Sequence, residues 1–131
     1  MQHCILIVDD DEDDCDFLKE SLIDVGVTLP IFVVHDGPAA FNLLEGLKEN
    51  LPKLIILDVN MPLMNGLTFF STLKLTYNIP VIFYTTSCND DLVKEATGLG
   101  AIDCVKKGVT YEDNLRFAKR VSEFVRNDVL T

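Results

Sequence analysis

The chain has 131 residues, nearly half of them apolar, with 21 acidic side chains against 11 basic ones and a formal net charge of −10. That length suits one domain over residues 1–131, the apolar share excludes a disordered chain, and a surface this negative repels phosphate backbones and anionic headgroups. No apolar run approaches the roughly 18 residues of a transmembrane helix, so neither nucleic acid nor a membrane is expected as a direct partner.

Met1-Gln2-His3 leads directly into a strand-like pattern without a basic region or signal-peptide core, which gives an expectation of a cytoplasmic protein. The cysteines, Cys4, Cys15, Cys88 and Cys104, contain no C-x-x-C pair and lie mostly in or beside apolar segments. They read as small hydrophobes of a reducing compartment rather than zinc ligands or disulfide partners.

Cys4 to Val8 is an unbroken, β-branched apolar run that ends in Asp9 and Asp10, the pattern of a strand buried on both faces. From Phe17 the period changes: Leu18, Leu22 and Val25, with Phe17 and Ser21 beside them, predict a first helix closed by Gly26. Ile31 to Val34 predicts a second strand. Ala40, Leu43, Leu44 and Leu47 predict a second helix between Gly37 and Asn50. After Pro52, Leu54 to Leu57 is a third buried strand that stops at Asp58, and Pro62 and Asn65-Gly66 then mark a loop. Leu67, Phe70 and Leu73 predict helix three, Val81 to Tyr84 strand four, and Thr85-Thr86-Ser87 its polar end. Leu92, Val93, Ala96 and Leu99 predict helix four, started by Ser87 to Asp91 and stopped by Gly98 and Gly100. Ile102 to Lys106 predicts strand five, running into Lys107 and Gly108; Leu115, Ala118, Val121 and Val125, flanked by Phe117 and Phe124, predict helix five.

Strands alternating with helices and no internal linker call for a parallel sheet covered on both faces by right-handed crossovers. Five such units match a doubly wound α/β sheet in the flavodoxin-like order 2-1-3-4-5, a three-layer (βα)5 sandwich. That order sets strands one and three side by side at the switch point, so Asp9, Asp10 and Asp58 end together, with Thr85 and Lys107 arriving from the strands alongside. Three carboxylates in one crevice repel, by about 1 kcal/mol per pair 4 Å apart in water and about 4 at an effective dielectric near 20. Lys107 supplies one positive charge. A hard divalent cation held by carboxylates and water would supply the rest, magnesium fitting better than calcium because six oxygens or an EF-hand spacing are missing. With a lysine and a hydroxyl in reach, Asp58 is equipped to accept a phosphoryl group.

The motifs ILIVDDDEDD, LIILDVNMPLMNG, PVIFYTT and GAIDCVKKG, in this order and spacing, resemble the receiver domain of the two-component response-regulator family over essentially the whole chain. The resemblance implies that Asp58 takes phosphate from the phosphohistidine of a sensor histidine kinase or phosphotransfer protein. Asp10 and Asp58 would bind Mg2+ directly, Asp9 through water, and Asn60 by its backbone carbonyl. Thr85 and Lys107 would stabilise the phosphoryl group. The last helix and the face around strand five would contact a downstream output protein or form a homodimer, and with the chain ending soon after helix five, output is expected to pass to a separate partner.

Two positions depart from the family pattern. Gly108 stands where a proline joined by a cis peptide usually follows the lysine; a cis bond before a non-proline residue costs about 2.5–4 kcal/mol, so the loop is either trans or strained. Cys104 replaces the aromatic residue that typically changes rotamer, and a thiol is too small to swing as a ring does. The usual coupling to Thr85 is therefore expected to be absent or rerouted, through Tyr84 or Tyr111. Asp11, Glu12, Asp13 and Asp14 read as a solvated helix cap, His3 and His35 as structural, and Met61 and Met64 as packing residues.

Competing readings fit less well. An aspartate-nucleophile phosphohydrolase would carry a second carboxylate two residues after the nucleophile, where Asn60 stands, and would place the nucleophile after its first strand. A flavin-binding relative would need a hydroxyl- and glycine-rich phosphate loop after strand one, where this chain is acidic. A receiver that has lost phosphotransfer and acts as a constitutive binding module would be distinguished by failure to bind magnesium.

Overall fold

Four-residue runs of Ile, Leu and Val can be buried on both faces only inside a sheet covered by helices on each side, and the chain folds in that way. The computed structural model describes residues 3–130, and the side chains of 3–126. Its elements are β1 (Ile5–Val8), α1 (Glu12–Asp24), β2 (Ile31–Val34), α2 (Gly37–Leu47), β3 (Leu54–Leu57), α3 (Gly66–Leu73), β4 (Val81–Thr85), α4 (Asp90–Gly98), β5 (Asp103–Lys106) and α5 (Tyr111–Leu130). The strands are all parallel, in the order β2-β1-β3-β4-β5. This is the doubly wound α/β sheet anticipated from the sequence.

Alternation along each strand divides the core into two layers. Leu6, Val8, Ile55, Leu57 and Phe83 pack with Ala40, Leu44, Phe69, Phe70 and Ala96 from α2, α3 and α4. Ile5, Ile7, Leu54, Ile56, Ile82 and Tyr84 pack with Cys15, Leu18 and Leu22 of α1 and Phe117, Ala118 and Val121 of α5. Val8 pairs with Leu57, so Asp9 and Asp58 each lie one residue past the ladder on the same face of the sheet.

Local chemistry fixes where the helices begin. Asp11, Asp36, Asn65 and Asn89 cap α1 to α4, each accepting from a backbone amide two or three residues on at 2.7–3.0 Å. At α5, Thr110 Oγ1 accepts the Asp113 amide at 3.1 Å while Asp113 Oδ2 accepts those of Thr110 and Val109, a reciprocal cap. These polar first turns lie outside the apolar period, so α1 starts five residues before Phe17 and α5 four before Leu115. Within α1, Cys15 takes the core position expected beside Leu18, and Phe17 is exposed.

Candidate functional site

The carboxyl end of β3 presents Asp58, and β1 presents Asp9 beside it. Asp58 donates its amide to Val8 O at 3.0 Å, and its Oδ1 accepts from the Val59 amide at 2.8 Å, so its backbone is tied to β1 and its carboxylate to the loop that follows. The Asp9 amide reaches Val34 O at 3.1 Å, and its Oδ1 accepts the Asp11 amide at 3.0 Å. Both carboxylates are more than nine-tenths buried, at 6% and 7% exposure, whereas Asp10 faces solvent. One oxygen from each of Asp9, Asp10 and Asp58 lies within 4.8 Å of the others.

Lys107 completes the cluster. Its Nζ lies 2.6 Å from Asp9 Oδ2, 2.7 Å from Asp14 Oδ2 and 3.4 Å from Asp58 Oδ2. Burial works against its charge, but the hydrogen bonds to Asp14 and Asp9 and the charges of Asp9 and Asp58 outweigh that and hold the ammonium above its ordinary value. Burial pushes the Asp9 carboxyl up to about 6, with the charge of Asp58 adding to the effect and the hydrogen bonds of Lys107 and the Asp11 amide opposing it. The neighbouring Lys106 is exposed, so of the two adjacent lysines only Lys107 enters the site.

Asp14 departs from the solvated position its sequence context suggests. It was expected in a solvated cap with Asp11, Glu12 and Asp13, yet its half-exposed carboxylate grips the Lys107 ammonium. A signal was present: Asp14 stands four residues before Leu18 and seven before Ser21, on the stripe that α1 turns inward. Asp11 does cap α1.

Thr85 is fully buried at the end of β4, and its Oγ1 accepts the Ser87 amide at 3.3 Å. Asn60 is exposed, and its Nδ2 donates to Ser87 Oγ at 2.5 Å, joining the loop after β3 to the loop after β4. Cys104 is buried in β5 beside Phe83, and its carbonyl accepts the Cys88 thiol at 3.4 Å. All four cysteines are free thiols. His3 Nδ1 lies 2.7 Å from Leu51 O, and His35 Nδ1 lies 2.9 Å from Asp9 O. Met61 and Met64 pack against the α2–α4 layer.

Among the described residues there is no cis peptide, so the Lys107–Gly108 bond is trans. Of the two tyrosines considered for rerouted coupling, Tyr111 is exposed and donates to Asp24 Oδ2 at 2.7 Å. Tyr84 is buried: its hydroxyl donates to Asn114 Oδ1 at 2.7 Å and accepts the Gly108 amide at 3.0 Å.

The donor set suits a small hard cation. Asp9, Asp14 and Asp58 share one ammonium while Asp10 has none within ion-pair distance among the described residues, no thiol or imidazole belongs to the Asp9–Asp10–Asp58 group, and exposed Asp10 leaves a side open to water. At 4.8 Å, a pair of these carboxylates repels by about 3.5 kcal/mol at an effective dielectric near 20.

A parallel 2-1-3-4-5 sheet with such an acidic crevice at its switch point defines a class of α/β ligand-binding domains. Residues 5–118 match the response regulator receiver domain, and the chain belongs to that family, whose members are signalling modules of two-component systems. It is 31% identical over 118 residues to protein-glutamate methylesterase/protein-glutamine glutaminase 1 of Methanosarcina acetivorans, an alignment covering 88% of this chain and 34% of that protein. The chain thus spans about a third of the length of that relative. Among solved structures, the Mn(2+)-bound form of response regulator Rcp1 is similar at 26% identity and a TM-score of 0.80, covering 93% of each chain. The phosphorylated cyanobacterial phytochrome response regulator RcpA is similar at 25% identity and a TM-score of 0.82, covering 95% of this chain and 94% of that one. Among the described residues, no helix is long and apolar enough to cross a membrane.

Proposed function

We propose that Asp58 accepts a phosphoryl group from the phosphohistidine of a sensor histidine kinase or phosphotransfer protein, in a magnesium-dependent reaction. The modified chain then signals to a downstream output protein by direct contact, within the cytoplasm. The observation that carries this reading is the buried Asp58 carboxylate, with Asp9 and Asp10 oxygens within 4.8 Å and the Lys107 ammonium at 3.4 Å. The metal-bound Rcp1 and phosphorylated RcpA relatives lend it support.

An Asp58 oxygen attacks phosphorus as the P–N bond to the donor imidazole breaks; the acyl phosphate stays on this chain, and the imidazole leaves with its electron pair and takes up a proton. Asp10, Asp58 and the Asn60 backbone carbonyl would hold Mg2+, with Asp9 acting through water; when bound, the ion neutralises charge on carboxylate and phosphoryl oxygens together. Lys107 has the reach to follow charge from Asp9 toward Asp58, and the Thr85 hydroxyl can donate to a phosphoryl oxygen. Positioning and charge are what the chain supplies, so its role is that of a phosphoacceptor rather than of an enzyme acting on other molecules.

Intact mass after brief incubation with acetyl phosphate tests the reading. The expected result is a single phosphoryl adduct that needs magnesium and is absent from Asp58→Asn. An adduct that persists in Asp58→Asn, or no adduct from either acetyl phosphate or a phosphohistidine donor, would overturn it.

A further inference from the structure

The loop after β5 carries the lysine whose ammonium joins Asp9, Asp14 and Asp58, yet its next residue is glycine, the residue type with the least constrained backbone. Its backbone is nevertheless pinned on both sides. The Lys107 amide donates to Thr85 O at 3.0 Å, and the Gly108 amide donates to the Tyr84 hydroxyl at 3.0 Å. That hydroxyl in turn donates to Asn114 Oδ1 at 2.7 Å, in the first turns of α5.

Tyr84 is itself packed on all the sides its ring offers to the core. It is 5% exposed, its ring stacks on Phe117 with centroids 3.9 Å apart and planes 1° from parallel, and its backbone lies inside β4. Helix α5 also lies close against Gly108: a Cβ there would fall 2.5 Å from Asp113 Cβ, so only glycine lets the loop approach. The amide of Gly108 and the phenol are thus matched, a donor that proline would lack meeting an acceptor aimed at it.

We propose that Tyr84, backed by Asn114, is the positioning residue for Lys107: its hydroxyl fixes the Lys107–Gly108 peptide and so sets where the ammonium lies among Asp9, Asp14 and Asp58. This rests on the phosphoacceptor reading above. Tyr84 touches none of the reacting atoms; it acts through the peptide that follows Lys107. Burial raises the phenol above its ordinary value, with the Gly108 hydrogen bond opposing, so the hydroxyl keeps its proton and remains a donor to Asn114 near neutral pH.

The test compares wild type, Tyr84→Phe, Lys107→Ala and the double variant for the rate of magnesium-dependent adduct formation from acetyl phosphate. Tyr84→Phe keeps the stacked ring and removes the hydroxyl alone. It should slow the reaction about tenfold while leaving magnesium affinity within about twofold, because misplacing a group by a fraction of an ångström to 1 Å costs up to about a hundredfold. In the Lys107→Ala background the same change should have no further effect, since the group being positioned is gone. Equal slowing in both backgrounds, or none in wild type, would overturn the proposal.

A second readout needs no chemistry. The Gly108 amide should be protected from hydrogen exchange and the Lys107 ammonium resonance sharp in wild type, with both lost in Tyr84→Phe. Unchanged signals would refute the positioning role. If wild type takes no phosphoryl group, the parent reading fails while these signals still decide what Tyr84 does.

Discussion

Replacing Lys107 with methionine keeps most of the stem and deletes the one charge that Asp9, Asp14 and Asp58 share. At an effective dielectric near 20, a unit positive charge 3.4 Å from Asp58 is worth about 5 kcal/mol, and Asp9 and Asp14 lie closer, at 2.6 and 2.7 Å. Desolvation of the ammonium and proton uptake by a carboxylate return part of this, and breaking a buried pair by removing one partner is worth about 3–5 kcal/mol in practice. Lys107 is itself among the groups that hold the Asp9 carboxyl down to about 6, so without it Asp9 moves further up and proton uptake returns part of the loss, placing the net cost at the lower end of that range. The metal-free variant should therefore lose about 3 kcal/mol of unfolding free energy.

Magnesium should narrow that gap without closing it. The variant's carboxylates have lost their counter-charge, so the ion should bind at least about tenfold tighter than in wild type, which at saturation adds about 1.4 kcal/mol more stabilisation through mass action. The assay is urea unfolding followed by circular dichroism, for both proteins in EDTA and at saturating magnesium. Equal stability in EDTA, or equal gains from magnesium, would show that Lys107 is not the site's own counter-ion.

Gly66→Ala should unfold at markedly lower urea, by about 1–3 kcal/mol or more, because its Cβ would fall 2.1 Å from the Asp58 carbonyl oxygen and 2.9 Å from Val59 Cα, both backbone atoms without room to move. A midpoint within error of wild type would refute that close approach. Asp113→Ala tests the cap of α5. The Thr110 and Val109 amides and the Thr110 hydroxyl, with Arg116 in support, hold the Asp113 carboxyl below its ordinary value. A depressed carboxylate stabilises fully above the unfolded value near 3.9 and loses that contribution as pH falls through the folded one. The stability gap between wild type and Asp113→Ala should thus be constant above about pH 5 and shrink below it, and a gap that stays constant down to about pH 3 would contradict the assignment.

Strands β1 to β4 were legible because each is a short apolar run with a clear boundary, Asp9 after β1, Asp58 after β3, and prolines at 30, 52 and 80 ahead of β2, β3 and β4, whereas β5 reads Asp-Cys-Val-Lys and begins at Asp103, one residue later than the Ile102 start expected. Parity did the rest, since runs of equal length in parallel register bring their terminal residues level. Helix starts were less legible because apolar spacing is blind to a first turn made of Glu12, Asp13 and Asp14 or of Glu112 and Asp113. Asp14 suffered for this: as a carboxylate it was counted with the solvated cap, though its spacing to Leu18 puts it on the inward stripe. The contacts among Tyr84, Gly108 and Asn114 span 24 and 30 residues of sequence, and no local pattern encodes which amide a buried phenol will meet.

A response to charge at Asp58 has to be carried by atoms with somewhere to go. Cys104 is 4% exposed, and a single sulfur cannot trade a buried site for an exposed one as a ring could. Lys107 is different, because its ammonium already has three carboxylates in reach and sits nearer Asp9 and Asp14 than Asp58. A phosphoryl group on Asp58 would add about one further negative charge there, and a divalent cation on Asp9, Asp10 and Asp58 would weaken the hold of Asp9 on the lysine. The phosphoryl charge draws the ammonium toward Asp58, and the cation loosens it from Asp9. Asp14 is then left without its cation on the first turn of α1, while Tyr84 keeps the Lys107 backbone where it was. The electrostatics thus favour the movement of one side-chain tip, and the helix that feels it is α1, the element whose inward stripe Asp14 begins.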